Sequence, residues 1–498
     1  MNYFKLALRA LARDRFYTII NIGGLTLGMC TALFILLWVK DELTFDRFHS
    51  KGDNIYRVYG YFPKADWITE AAPYPLGEAA MEKIPEIKEM TRLRNSWSPS
   101  TLEAGDHFSS TKEMAYLEPN FFELFDFKIL NGQAKQVLRG ESQAIISETK
   151  AKALFGSKEV IGEVIKVNQV PYSIGAVIED FPSNSSINYD IFLPLTSYLR
   201  DSSNRKNAMN LGNFNYDMYL LLEEGASPEV VASKLTNIIN EQRKDPLEIG
   251  LQAIKDMHWE KLGNFSVIAH GDKPTINLFT IIGIFVLLIA CINFVNLSTA
   301  RQSKRIKEVS MRKMVGAERS HLFRQFMAEH LVANGLILGL SVLLIFVFLP
   351  LFNTFTSKNI GLEWNDPTLW MLLIGTLILT TISTGLYPSI LFSTQNPLKL
   401  LREDKMPKSK STWVRNGLVI TQFTFSMVLI IATLGIDQQM RYIFKKDLGF
   451  DRSEVFTVPI GSRKNRANLN LTLLKEELSR NANIISVTSA NAPIYDIS

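Results

Sequence analysis

Residues 276–298 read INLFTIIGIFVLLIACINFVNLS and contain no charged side chain. About 20 apolar residues in a helix cross the roughly 30 Å hydrocarbon core of a bilayer, so this stretch predicts a transmembrane helix. Four further stretches meet the same criterion, at 17–39, 331–352, 368–393 and 416–437. The 498-residue chain therefore predicts a membrane protein with about five transmembrane helices.

Lysine and arginine are unevenly distributed between the segments that flank these stretches. Segments 1–16, 299–330 and 394–415 together carry a net charge of +12, whereas the rest of the chain carries −7. Because basic residues accumulate in cytoplasmic segments, this pattern predicts a cytoplasmic N-terminus and a cytoplasmic basic loop at 394–415, and it places 40–275 and 438–498 outside. The same pattern explains the pI of about 8.9, so the pI gives no support for nucleic-acid binding.

The segment ahead of the first span predicts an interfacial helix. Residues 1–16 place their basic side chains on one helical face and apolar side chains on another, which is typical of a helix lying on the inner leaflet. The apolar run that follows is too long for a signal peptide, so we expect 17–39 to remain as a span. Within it, Gly24 and Gly28 have the small-xxx-small spacing that lets two helices approach closely.

Residues 40–275 predict a large α+β extracytoplasmic domain inserted between the first and second transmembrane helices. The segment is long enough to bury a core and alternates strand signals with helix signals. One strand is expected to turn at Ser147 into a helix that Gly156 closes, and a hairpin turn is expected near 168–169. A later helix should begin after Ser227, which is followed by proline at the first helical position.

Residues 438–498 predict the start of a second outer domain. The tripeptide FDR occurs at 45–47 and again at 450–452, each time after a span and before a strand-like run. This repetition favours two related halves, the second of which is cut off at Ser498. We therefore expect the chain to be a fragment of a longer protein.

Sequence patterns that are typical of catalysis do not occur. The chain contains no phosphate-binding loop of the form G-x-x-x-x-G-K-[ST], no H-E-x-x-H, no G-x-S-x-G and no C-x-x-C. Its six histidines lack metal-ligand spacing, and Cys30 and Cys291 both fall within spans, where packing is the favoured role. We expect no catalytic residue, no metal and no cofactor.

The apolar interiors of the five spans contain no Asp, Glu, Lys, Arg or His. Their notable polar residues are Asn21, Asn293, Asn296 and Gln422. Because an ion-coupled transporter usually needs an ionisable group at depth, this composition weighs against that class. Energy for transport would have to come from another source.

The most basic stretch follows the second span, and it includes RIKEVSMRKMVGA at 305–317. If residues 301–312 are helical, their charged side chains share one face, and Gly316 would end the helix. The side chains on that face are Arg301, Lys304, Arg305, Glu308 and Arg312. Two interpretations stay open, a docking surface for a partner protein and a solvated loop that contacts lipid phosphates.

Three segments carry a family resemblance that covers essentially the whole chain. Residues 290–331, ACINFVNLSTARQSKRIKEVSMRKMVGAERSHLFRQFMAEHL, closely resemble the signature of FtsX-like ABC-transporter permeases. Residues 17–270 resemble the first span of that family and its MacB-like periplasmic core domain. Residues 414–440 resemble the start of the second permease half in long two-repeat members from Bacteroidetes-type bacteria.

The resemblance implies that segment 299–330 docks on an ATP-binding subunit, which must be separate because this chain contains no phosphate loop. The coupling interface would then consist of Arg301, Lys304, Arg305, Glu308, Arg312, Lys313 and Gly316. The resemblance also implies a bacterial inner-membrane location and a homodimer, or a pseudo-dimer formed through the second repeat. Membrane lipids and a periplasmic adaptor are further expected partners, and nucleic acid is not.

We therefore expect a non-catalytic permease subunit that exports or releases a substrate at the outer face of the inner membrane. The alternative is a membrane sensor with an extracytoplasmic ligand-binding domain, but a sensor would normally carry a cytoplasmic output domain. Nothing in residues 40–275 identifies the substrate.

Overall fold

The computed structural model of the chain describes most of its length. The described residues are 15–96, 98–241, 243, 245–263, 268, 270–300, 311, 313–315, 318–394, 408–446, 455–456 and 470–489. They form two compact units. We call the part formed by the five long helices the helical unit, and the part formed by residues 44–271 the sheet unit.

Helices occur in both units, and most of the long ones are in the first. In chain order they are α1 (Arg15–Leu43), α2 (Tyr74–Lys83), α3 (Phe121–Leu124), α4 (Ala134–Arg139), α5 (Glu148–Phe155), α6 (Leu195–Leu199), α7 (Ser202–Ala208), α8 (Pro228–Asn240), α9 (Ile254–Met257), α10 (Lys273–Ala300), α11 (Arg319–Thr356), α12 (Pro367–Thr394), α13 (Lys408–Lys445) and α14 (Leu471–Ser479).

Five of these helices, α1 and α10 to α13, are long and apolar enough to cross a membrane. Each contains one of the five apolar stretches, and a large α+β domain lies between the first and the second in the chain. The predicted fold class is therefore confirmed. The helices extend beyond the apolar stretches because the backbone hydrogen bonds within an α-helix form in water as well as in hydrocarbon.

The prediction of a basic loop at 394–415 is wrong from Lys408 onward, where the structure has a helix. Helix α13 begins at Lys408, directly after Pro407 in the sequence, and continues to Lys445, eight residues past the predicted end of the fifth span. Proline disfavours helix for the residue before it and tolerates helix after it, so the helix can start there although the residues are polar. Residues 1–14 of the predicted N-terminal helix lie outside the described residues.

The helical unit is packed around α1. This helix packs against α10 and α11, and α11 packs against α12. Their shared apolar core includes Leu25, Leu33, Leu287, Ile337 and Leu373, all of them buried. The remaining apolar side chains of the long helices are largely exposed, which is the arrangement that lipid-facing helices require.

The described residues of the sheet unit form fourteen strands. In chain order they are β1 (Ile55–Phe62), β2 (Trp67–Thr69), β3 (Ala72–Pro73), β4 (Ile87–Asn95), β5 (Ser100–Ala104), β6 (His107–Thr111), β7 (Met114–Leu117), β8 (Ile129–Gly132), β9 (Gln143–Ser147), β10 (Val164–Val167), β11 (Val170–Ile178), β12 (Ile191–Pro194), β13 (Phe214–Leu222) and β14 (Glu248–Ala253).

These strands form one mixed sheet, in which eleven follow the order β14-β1-β13-β4-β7-β12-β9-β11-β10-β5-β6. The other three lie off this path, where β2 pairs with β1, β3 with β13 and β8 with β11. Strands β7 and β12 pair in parallel, as do β9 and β11, and the other pairs are antiparallel. Central strands such as β12 are buried at every position because helices and loops cover both faces. An aromatic-rich core that contains Phe121 and Phe192 lies apart from a second core that α2 and α8 cover.

The local signals read from the sequence of this unit are confirmed. The Ser147 hydroxyl caps α5 by accepting a hydrogen bond from a backbone N–H at 3.3 Å, and Gly156 ends that helix at φ 72°. Asn168 and Gln169 both have positive φ in the tight hairpin turn between β10 and β11. Ser227 caps α8 in the same manner as Ser147 caps α5.

Within 438–498 the structure describes only part of the predicted second outer domain. Helix α14 begins after Asn470, whose side chain caps it, and it buries none of its residues. Residues 455–456 and 484–489 form no strand. Both FDR at 450–452 and most of the strand-like run after it lie outside the described residues, so the second domain stays a prediction.

Candidate functional site

The predicted coupling interface is described at one position. Arg301, Lys304, Arg305, Glu308, Arg312 and Gly316 lie outside the described residues. Lys313 is helical and half-buried, and its pKa is lowered by burial and by the positive charge of Arg319. The role of these residues therefore stays a prediction.

Helices α1 and α10 are in close contact at Gly28. A Cβ built on Gly28 would lie 2.4 Å from the Cβ of Ala290, a distance at which one of the two helices must move. A Cβ built on Gly24 would meet only Asn293, at an ordinary 3.9 Å. The absence of a side chain at Gly28 thus sets the distance between the two helices, whereas Gly24 leaves room to spare.

The two cysteines lie in the same core. Cys30 and Cys291 are both buried and both free, and each belongs to the apolar cluster that joins α1 and α10. Trp38 and Phe279 extend this contact, with ring centroids 5.1 Å apart. The chain therefore leaves the helical unit at residue 43 and returns at 273 through a pair of helices that are closely packed along their length.

An ion-pair cluster occupies the end of α1 that leads into the sheet unit. The Nζ of Lys358, which follows α11, lies 2.5 Å from a carboxylate oxygen of Asp41 and 2.7 Å from one of Glu42. Lys40 pairs with Asp366, the residue that precedes α12. We call these five residues the ionic cluster. It ties the last turn of α1 to the loop between α11 and α12.

The ionic cluster is well shielded from water. The side chains of Lys358, Asp41 and Glu42 are at most 14% exposed. Burial raises the pKa of Asp366, but hydrogen bonds from Lys40 and Thr368 outweigh it and lower that pKa to about 2. These ion pairs are therefore expected to contribute more than surface pairs do.

A buried polar contact between α11 and α12 was missed in the sequence. Asn334 is completely buried, and its side-chain amide donates a hydrogen bond of 2.9 Å to the Thr384 hydroxyl. Nearby, the Ser341 hydroxyl donates to the carbonyl of Thr26 at 3.1 Å, which joins α11 to α1. The sequence signal for this contact is the polar Asn334 within the apolar run LVANGLILGL at 331–340. Its neighbours in the sequence are apolar and do not indicate which residue it bonds.

The histidines of the sheet unit that are buried pack against aromatic rings. The Nδ1 of His49 accepts the backbone N–H of Asp126 at 3.2 Å, and burial lowers the pKa of His49 to about 4. The ring of His258 stacks on Phe45 with centroids 3.6 Å apart. Across the described part of the chain, no three His, Cys, Asp or Glu side chains are placed to hold a metal ion.

Two families match the chain in separate regions. Residues 18–238 match the MacB-like periplasmic core domain, and residues 280–397 match the FtsX-like permease C-terminal family. The first region contains all but the first three residues of α1 and most of the sheet unit, and the second contains most of α10 and all of α11 and α12.

Several curated relatives carry the name macrolide export ATP-binding/permease protein MacB. The protein from Wolinella succinogenes is 24% identical, and the alignment covers 68% of this chain and 52% of the relative. The protein from Escherichia coli K12 is 26% identical over 69% of this chain and 53% of its own length. The chain thus spans about half the length of the curated relatives it matches.

Solved structures are also similar to part of the chain. A domain of a proposed permease protein from Porphyromonas gingivalis is 24% identical, covers 47% of this chain and 99% of that domain, and has a TM-score of 0.37. The periplasmic region of MacB from Actinobacillus actinomycetemcomitans is 14% identical, covers 41% of this chain and 91% of that region, and has a TM-score of 0.32. The chain thus contains a MacB-like periplasmic core domain and an FtsX-like permease domain, and these two matches, with the curated relatives, support an ABC transporter permease of the FtsX/MacB type.

Proposed function

We propose that the chain is the transmembrane subunit of an ABC transporter complex. In this proposal a separate ATP-binding subunit hydrolyses ATP, and this chain transmits the resulting motion to its extracytoplasmic domain. That domain then exports or releases a substrate at the outer face of the inner membrane. The two family matches support the permease role, and the curated relatives carry both ATP-binding and permease in their names.

The observation that carries the proposal is the close packing of α1 against α10. The chain enters the sheet unit from α1 and leaves it into α10, and no Cβ fits between them at Gly28. Two helices in such contact move together because a packed interface resists small displacements. A movement of the segment that follows α10 would therefore be transmitted along both helices to residues 44 and 271, where the chain enters and leaves the sheet unit.

The ionic cluster supports the same role. It fixes the last turn of α1 to the residues between α11 and α12, so the second pair of spans is connected to the helix that leads into the sheet unit. In this proposal, movement of any of these helices is passed on to residue 44, where the chain enters the extracytoplasmic domain. The spans themselves need no ion-binding site.

Charge supports the orientation. The net charge of +12 in segments 1–16, 299–330 and 394–415 favours the cytoplasm for all three, which puts the N-terminus inside and the sheet unit outside. A single cysteine introduced at Ser310, in a chain with Cys30 and Cys291 replaced by alanine, should react with a membrane-impermeant maleimide only after permeabilisation. Labelling of intact cells at this position would contradict the orientation and the coupling role together.

The coupling interface is tested by charge reversal. Glu308→Lys and Arg312→Glu should each reduce co-purification with the ATP-binding subunit, because each places the wrong charge on a face that is proposed to bind it. Arg402→Glu, in the other basic connector, is the matched control and should leave co-purification unchanged. All variants should insert into the membrane equally. Wild-type co-purification of both coupling variants would reject the proposed interface in favour of a lipid-facing loop.

A further inference from the structure

An arginine that pairs with no carboxylate of the described residues lies among tyrosines on one face of the sheet unit. Arg94 in β4 pairs in register with Tyr116 in β7. Its guanidinium carbon lies 4.3 Å from the ring centroid of Tyr198 and 5.6 Å from that of Tyr216. The rings of Tyr116 and Tyr198 are themselves 5.1 Å apart. We call these four residues the arginine–tyrosine cluster.

The neighbouring Arg92 shows how an arginine on this face is normally satisfied. It lies two residues earlier in β4, and its guanidinium donates to the carboxylate of Glu118 at 2.5 and 2.9 Å and to the carbonyl of Tyr74 at 2.6 Å. Arg94 forms one long hydrogen bond, 3.4 Å to the carbonyl of Asn215. Among the carboxylates that the structure describes, none pairs with Arg94.

The donors of the arginine–tyrosine cluster are available to a ligand. Arg94, Tyr116 and Tyr198 are half-buried, and none of their polar atoms is among the described atoms that are sealed from solvent without a partner. The hydroxyls of Tyr116 and Tyr198 bond to no other described group. Burial raises the pKa of both hydroxyls, so they remain protonated donors near neutral pH.

We propose that Arg94, Tyr116 and Tyr198 form a binding site for an oxyanion, either carboxylate or phosphate, carried on an aromatic or apolar molecule. The planar guanidinium offers a fork of N–H donors that matches two oxygens of one anion, and the flanking rings hold its plane. Tyrosine hydroxyls add neutral donors, and tyrosine rings provide the apolar wall. The site does not depend on the proposed transport role.

The test uses the full chain in nanodiscs and ligand-observed saturation-transfer NMR. Benzoate and phenyl phosphate serve as probes, with benzamide as the uncharged analogue. We expect saturable binding of at least one anionic probe and none of benzamide at the same concentration. Arg94→Gln should lower the affinity for the probe that binds by at least about tenfold, because the substitution removes the charge and the bidentate contact. Arg139→Gln removes the same charge from an exposed helix position and should leave binding unchanged.

Two conservative variants keep the test decisive if Arg94→Gln does not fold. Arg94→Lys keeps the positive charge but loses the paired N–H donors of the guanidinium, and Tyr198→Phe keeps the ring but loses the hydroxyl donor. Each variant should bind the probe several-fold more weakly while its unfolding midpoint stays at the wild-type value. Equal affinity for benzoate and benzamide, or wild-type affinity in the two folded variants, would overturn the proposal.

The source of the oxyanion is decided in the same experiment. The tighter of the two probes identifies carboxylate or phosphate. Competition by phosphatidic acid added to phosphatidylcholine nanodiscs would identify a membrane lipid as the source, and its absence would identify a soluble ligand.

Discussion

Gly28→Ala is the sharpest test of the packing between α1 and α10. A Cβ at this position lies 2.4 Å from the Cβ of Ala290, whereas ordinary van der Waals contact begins at about 3.4 Å. The helices must therefore separate locally by about 1 Å, and the contacts around Ala290 weaken. Gly24→Ala is the matched control because its new Cβ meets only an ordinary contact of 3.9 Å.

The expected size of the effect follows from two opposing contributions. Inserting a methyl group into a packed core costs about 1–3 kcal/mol, whereas replacing glycine with alanine inside a helix stabilises it by about 1 kcal/mol. Gly24→Ala receives only the second contribution. We therefore expect Gly28→Ala to be less stable than Gly24→Ala by about 1–3 kcal/mol in free energy of unfolding.

The assay is unfolding of the purified full chain in mixed micelles by titration with a denaturing detergent, followed by circular dichroism. Ala290→Gly should restore the space, so the double variant Gly28→Ala with Ala290→Gly should recover most of the lost stability. The reasoning is refuted if Gly28→Ala and Gly24→Ala unfold alike, or if Ala290→Gly fails to rescue the first.

Three further changes have expected outcomes. Lys358→Met leaves Asp41 without its shielded cation and should cost about 1–3 kcal/mol in the same titration. Because burial lowers the pKa of His49 from 6.5 to about 4, the unfolded chain binds more protons between these values. The stability of the sheet unit should fall by up to about 3 kcal/mol as pH drops through this window, and His49→Gln should flatten the profile measured by thermal unfolding. Asn334→Leu removes the bond to Thr384 and should cost about 0.5–2 kcal/mol in the detergent titration.

Each of these changes has a control. Lys64→Met breaks an ion pair whose side chains are about 70% exposed, so it should have little effect, and an equal loss would contradict the argument from shielding. Burial raises the pKa of Asp46 to about 6, so the folded chain binds the extra proton there and the contribution of Asp46 to stability has the opposite pH dependence. The stability of His49→Gln is therefore compared with that of the wild type at each pH. The double variant Asn334→Leu with Thr384→Val should lose no more stability than Asn334→Leu alone. If the stability losses of the two single variants add fully in the double variant, the two side chains do not interact.

Features with a local physical cause were predictable from the sequence. Runs of about 20 apolar residues specify membrane-crossing helices because an unpaired backbone is too costly in hydrocarbon. The caps at Ser147 and Ser227 and the helix end at Gly156 depend on hydrogen bonds and backbone angles within a few residues. The α+β class of the sheet unit followed from the alternation of such signals.

The start of α13 shows a feature that charge in the sequence did not predict. Residues 408–415, KSKSTWVR, are mostly polar and basic, and the charge count predicted a loop there. After Pro407, however, no residue in this segment prevents helix formation. Polarity predicts contact with water, and it does not distinguish a solvated loop from a solvated helix turn.

The sequence alone determined the class of the molecule, its five apolar helices and the local ends of its elements, because those depend on residues within a turn or two of one another. Only the tertiary structure decided that Lys358 meets Asp41, that Gly28 meets Ala290 and that Arg94 lies beside Tyr198. The members of each pair are about one hundred to more than three hundred positions apart in the chain. A charge, a glycine or an aromatic ring does not indicate its distant partner, since that partner is selected by how the whole set of helices and strands packs.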